Sequence, residues 1–115
     1  MGWPPKVGEV LPRAKDAWCE PPKWDGWILA DHGHGPEWAK VLHVTVEDVD
    51  AVWEAIAAAV LVDPVSRVID QGKHGLNCRV DMQLRIGGRS ARIRTAWHYA
   101  GAESAPRLVS AYPRL

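Results

Sequence analysis

Two adjacent glycines, Gly87 and Gly88, stand between two runs that alternate apolar and polar residues, and no other feature constrains the fold as much. Before them, Cys78 to Ile86 places Val80, Met82, Leu84 and Ile86 on one side of an extended strand. After them, Arg89 to Tyr99 sends Ala91, Ile93, Thr95, Trp97 and Tyr99 one way and Arg92, Arg94 and His98 the other. A two-residue hairpin loop demands positive φ values that glycine adopts without strain. A turn that tight also sets the register. Leu84 then pairs with Ala91, Met82 with Ile93 and Val80 with Thr95 on the apolar side, while Gln83 pairs with Arg92, Asp81 with Arg94 and Asn77 with His98 on the polar side.

The same signals continue on either side of this hairpin. Val65 to Asp70 reads as a strand, Gln71 to Gly75 as a loop, and Arg107 to Tyr112 as a last strand stopped by Pro113. Upstream, Thr45 is a good N-cap with Asp48 three residues on, and Val44 and Val49 have the spacing of a hydrophobic staple. Val49, Val52, Trp53, Ile56, Ala57 and Val60 then recur at helical period, and Asp63-Pro64 ends the helix. Pro36 and Glu37 open a shorter helix reaching about His43. Residues 1–36 hold six of the nine prolines and four of the seven tryptophans, which predicts an irregular segment anchored by Trp3, Trp18, Trp24 and Trp27, with a turn of helix around Arg13 to Cys19. The expected fold class is α+β. An irregular wrap (1–36) and a helical region (37–62) pack on the apolar face of an antiparallel sheet of about four strands (65–113), all in one domain.

Bulk properties fit this picture. A chain of 115 residues, 47% of them hydrophobic, buries one small core. Lys and Arg number 14, as do Asp and Glu, so no global field draws the chain to nucleic acid or to an anionic membrane, and any anion site must be local. It belongs in the C-terminal part, where seven arginines and Lys73 face only Asp81 and Glu103. Cys19 and Cys78 are too few for a disulfide framework and suit reduced thiols of a cytoplasmic protein. Trp3, Pro4 and Pro5 stand where a signal peptide would need apolar residues, and the longest apolar run, Ala55 to Val62, is too short to span a bilayer. Glycine-rich phosphate loops, dinucleotide fingerprints, nucleophile elbows and helical zinc-protease motifs are absent from the sequence.

Two constellations remain. The first is the cationic strand face, with Arg92, Arg94 and His98, to which Arg107 and Tyr112 are added if the last strand pairs beside it. Cations next to a proton-transfer group are what metal-independent cleavage of RNA requires. The bland account of the same residues is a solvated face on which Asp81 neutralises Arg94. The second is Asp31-His32-Gly33-His34-Gly35, leading into the helix that carries Lys40. Its two histidines could meet one zinc ion, although third and fourth ligands are lacking; alternatively one of them serves as general base or acid.

Arg94-Thr95-Ala96-Trp97, followed after a turn by Pro106-Arg107-Leu108-Val109-Ser110-Ala111-Tyr112-Pro113, resembles the end of a small bacterial domain of unassigned function. That domain occurs alone and at the C-termini of polymorphic toxins, and it is similar in architecture to the barnase, EndoU, colicin and RelE group of ribonucleases. The resemblance runs more weakly through Asp31-His32 and Ala39-Lys40. It departs at Ser110, where threonine is usual, in the spacing of the loop around His34, and at His98, where histidine is not usual. The resemblance implies catalytic roles for His32, Lys40, Arg94 and Tyr112 and a substrate contact from Thr95; the reading of the cationic strand face adds His98 as the alternative base and Arg92 and Arg107 as substrate contacts. Strict alternation puts Thr95 on the apolar side, so a bulge must re-aim it or its role is structural. The implied reaction is attack by the 2′-hydroxyl, with no cofactor and no metal. RNA, such as tRNA, is the implied substrate, and an immunity or antitoxin protein the implied partner. The implied place of action is the cytoplasm, or a target cell's cytoplasm if the domain is delivered by a larger toxin. The alternative from a different class is a non-catalytic toxin-associated, immunity-like or nucleic-acid interaction module.

Overall fold

The Gly87-Gly88 hairpin forms as its sequence demands, with both glycines at positive φ, 59° and 83°. In the computed structural model, which describes residues 3–114, it joins two long strands, β2 (Leu76–Ile86) and β3 (Arg89–Tyr99). All six expected cross-strand pairs are present, from Leu84 opposite Ala91 to Asn77 opposite His98. β1 (Val65–Asp70) pairs with β2, and β4 (Arg107–Pro113) with β3, giving a four-stranded antiparallel meander in the order β1-β2-β3-β4. The register shifts between Ala96 and Trp97, where Val109 bulges out of β4.

The apolar face of the sheet carries the helices. Thr45 and Asp48 form the expected capping box: the Thr45 side chain accepts from the Glu47 amide at 3.2 Å, and the Thr45 amide donates to Asp48 at 2.9 Å. One 3₁₀ turn later α2 (Val49–Val60) begins, and it buries Val52, Ile56 and Val60 against β2. α1 (Gly35–Leu42) lies over β3 and β4, and its Trp38, which is wholly buried, donates its indole N–H to the Ala111 carbonyl at 3.0 Å. Because β4 is an edge strand, this bond occupies a backbone acceptor that would otherwise be open.

The N-terminal segment crosses the same apolar layer from one sheet edge to the other. Gly8 and Glu9 exchange backbone hydrogen bonds with Val65 at 2.9 and 2.8 Å, Pro12 accepts from the Tyr99 hydroxyl, and Trp18 brackets β4 by bonding to Pro106 and Leu108. The wrap is therefore hydrogen-bonded as well as apolar. Of its four tryptophans only Trp24 is buried; Trp3 leans edge-on against Tyr99 at 5.2 Å, and Trp18 and Trp27 keep about two-fifths of their surface exposed. No helix among the described residues is long and apolar enough to cross a membrane.

Candidate functional site

Alternation along the hairpin turns Arg79 and Arg85 of β2 and Arg92 and Arg94 of β3 outward, and antiparallel pairing sets each in a row across the strands. One row runs Asp81, Arg94, Tyr112 over β2, β3 and β4. Arg94 donates from Nε and Nη2 to the two Asp81 carboxylate oxygens, at 2.9 and 3.1 Å. This fork holds the Asp81 carboxyl below the usual range, against the upward push of partial burial; the charges of Arg94, Arg92 and Arg114 act in the same direction. Arg94 is shifted upward in turn, by Asp81 first and by the Tyr112 hydroxyl to a smaller extent. A guanidinium has five N–H donors, so Arg94 retains donors for an anion beyond the two that Asp81 takes.

The row continues beyond the sheet edge. The His34 ring stands over Tyr112, with centroids 4.7 Å apart and planes tilted by 32°, and also meets Trp27 in a T-shaped contact at 5.1 Å and 73°. His34 Nδ1 lies 3.0 Å from Glu37 Oε1. A carboxylate accepts, so Nδ1 carries the proton and Nε2 of the neutral ring keeps its lone pair. A carboxylate that fixes an imidazole's tautomer and orientation is how general bases are commonly prepared.

Local sequence explains why His34 arrives there. It occupies the N-cap of α1, with Pro36 in the first turn, and Glu37 lies three residues on, within reach on the same side. The loop closes tightly on the preceding turn (Trp24–Ile28): His34 N–H donates to the Trp27 carbonyl at 3.1 Å, and Gly35 N–H to the Ala30 carbonyl at 2.9 Å. A Cβ at Gly33 would overlap the Trp27 carbonyl oxygen, so only glycine permits this approach. The His34–Glu37 spacing was a visible signal for this pair. What hid it was the distance in sequence between His34 and Tyr112.

The remaining candidates fall into separate settings. His32 is exposed and donates from Nε2 to the Gly26 carbonyl at 3.0 Å, so it folds back on its own loop instead of joining Arg94. The histidine of this loop that stands against Tyr112 is His34. His98 is committed similarly, donating Nε2–H to the His74 carbonyl at 2.7 Å, and pairs with Arg107 in a row separated from that of Arg94 by the Arg79–Ala96–Ser110 row. Arg107 pairs with Glu20 at 3.2 Å, Arg92 is exposed with its charge near Asp81, and Lys40 is exposed on the last turn of α1. Thr95 requires correction as a substrate contact. It is 0% exposed, its hydroxyl donates to the Val80 carbonyl at 2.7 Å and accepts from the Trp97 indole at 2.8 Å. The β4 bulge lies beyond it and leaves it on the core side, so its role is structural. His32 and His34 bond to different partners, and the described residues contain no cluster of three or more His, Cys, Asp or Glu side chains suited to a metal ion.

Fold and site together define an α+β protein whose antiparallel sheet is covered by helices on one face and presents an ordered Asp–Arg–Tyr–His row on the other and at its edge. The chain belongs to the family described as Domain of unknown function (DUF6883), which matches residues 10–115. No curated protein and no solved structure matches it.

Proposed function

We propose that this chain is a metal-independent ribonuclease-like domain whose site is the Arg94–Tyr112–His34 row. The observation that carries the reading is the alignment of an anion-binding guanidinium, a phenol and a carboxylate-oriented imidazole in one line. In the proposed reaction, His34 Nε2 takes the proton of the ribose 2′-hydroxyl, whose oxygen attacks the adjacent phosphorus. The bond to the 5′-oxygen breaks and that oxygen receives a proton from Tyr112, leaving a 2′,3′-cyclic phosphate and a 5′-hydroxyl. Arg94 holds the phosphate and stabilises its developing charge, while Arg92 and Arg114 bring neighbouring phosphates to the face. Asp81 keeps Arg94 extended across the sheet. RNA such as tRNA is the substrate in this reading. A cognate immunity or antitoxin protein would protect the producing cell, whether the domain acts in that cell's own cytoplasm or is delivered into another as the end of a toxin.

The test is incubation of wild type, Arg94→Ala, His34→Gln and His32→Gln with total RNA in EDTA, followed by mapping of new ends. Wild type and His32→Gln are expected to give discrete ends with 2′,3′-cyclic phosphates, and the other two to lose roughly a hundredfold or more in rate. RNA left intact by the wild type, with or without added divalent ions, overturns the enzyme. RNA retained by the wild type but not cleaved points instead to the interaction module.

A further inference from the structure

The helical side of the molecule carries a second concavity that shares no residue with the Arg94 row. Its walls are Trp18, Trp24 and Trp53, with Asp25 and Asp50 at its rim, and it encloses about 580 Å³. Trp24 and Trp53 meet nearly at a right angle, with centroids 6.2 Å apart and planes at 70°, and so make an aromatic corner. Both rings are fixed from behind, Trp24 by burial to 8% exposure and Trp53 by Trp97 of the core at 6.3 Å. Trp18 closes the third side and keeps 45% of its surface open to solvent, while its backbone is pinned to β4 by bonds to Pro106 and Leu108. Among the described residues, neither Asp25 nor Asp50 forms an ion pair. The Cys19 thiol, also on the lining, is pushed up to about 11 by burial and adds no negative charge at neutral pH.

From this arrangement we infer that the cleft binds an organic cation through a methylated ammonium head. Tryptophan faces attract cations through the ring quadrupole, and carboxylates at the mouth add long-range attraction. The same carboxylates repel an anion, and they would lose hydration without gaining a partner if a neutral apolar ligand covered them. A bare ammonium is a compact, strongly hydrated charge that gives up water reluctantly, and a guanidinium is best held by carboxylates in its own plane. Methylation spreads the charge over an apolar shell, which the open indole surface of Trp18 and Trp53 can contact, the largely buried Trp24 completing the lining. The volume lies within the range of pockets for drug-sized ligands of about 300–1,000 Å³, so the head is attached to a larger body. That body is either a free small molecule or the backbone of a polypeptide bearing a methylated lysine.

The test is titration of the full chain with choline, with its neutral carbon isostere 3,3-dimethylbutan-1-ol, and with N-acetyl-trimethyllysine methylamide, followed by tryptophan fluorescence and calorimetry. Saturable choline binding at least tenfold tighter than that of the isostere is expected, and Asp25→Asn/Asp50→Asn should weaken it roughly tenfold while leaving the isostere unchanged. Both aspartates are exposed, so the double variant is expected to fold, and Trp18→Leu offers an independent loss of one wall. Tighter binding of the lysine derivative than of choline assigns the ligand to a polypeptide; equal or weaker binding assigns it to a free cation. Equal affinity for choline and its isostere, unchanged binding in both variants, or no saturation by either cation overturns the proposal.

Discussion

The two faces of this protein are built by opposite means. The outer face of the sheet is regular: strand alternation and antiparallel pairing lay Asp81, Arg94 and Tyr112 side by side, and their chemistry is that of partly buried charge held in register. The tryptophan cleft is irregular: a proline-rich segment, the π-helical turn Trp24–Ile28 and the start of α2 bring rings from three stretches of chain into one corner. A flat row of charges can meet an extended polyanion at several points, whereas a concave aromatic corner encloses one compact group. On the proposals made above, a chain with no net charge would give an anion site and a cation site separate sides of the core.

The hardest way to break this separation is through Trp97, whose ring lies against Trp53 of the cleft and whose indole N–H bonds to Thr95 in β3. Trp97→Ala removes a fully buried side chain and should lower stability by about 3–5 kcal/mol in urea denaturation, degrading both faces together. Loss of one face with stability intact would show that the core does not couple them in this way. Trp38→Phe is expected to cost less, about 1–3 kcal/mol, because it keeps most of the buried ring but leaves the Ala111 carbonyl without its donor. It should loosen the stacking of His34 on Tyr112, readable as a changed His34 ring resonance in NMR, and leave the cleft's tryptophan fluorescence response to choline unchanged.

The smallest effect belongs to Asp81, and it has a definite sign. Its folded carboxyl is depressed below the unfolded value of about 3.9, so its contribution is complete above that pH and is lost as pH falls through the lower folded value. The stability difference between wild type and Asp81→Asn, measured by urea denaturation, should therefore be level near neutrality and shrink progressively below about pH 4. A difference that grew on acidification would mean that the Arg94 fork does not hold the carboxylate charged.

Much of the sheet face was legible because its determinants are local. Gly87-Gly88 fixed the turn, the turn fixed the register, and alternation assigned Arg92, Arg94 and His98 to the outer side and Thr95 to the core. The capping box at Thr45 and Asp48 is likewise contained within four residues. The choice between His32 and His34 was not legible in that way. It depends on the close approach of Gly33 to Trp27 and on a contact with Tyr112 from the far end of the chain. Of the four N-terminal tryptophans, composition suggested a common role as anchors, yet Trp24 is buried while Trp18 and Trp27 stay partly open, because burial depends on which other segments arrive over each ring.

The sequence by itself thus determined the strands, their register, the helix starts and the sign of the charge on the sheet's outer face, since each follows from backbone stereochemistry and periodicity over a few residues. Only the tertiary structure decided that His34 and Glu37 extend the Arg94 row and that three tryptophans line a cleft. Those outcomes arise from contacts between distant segments, whose geometry is set by the close-packed core as a whole and by no short stretch of chain.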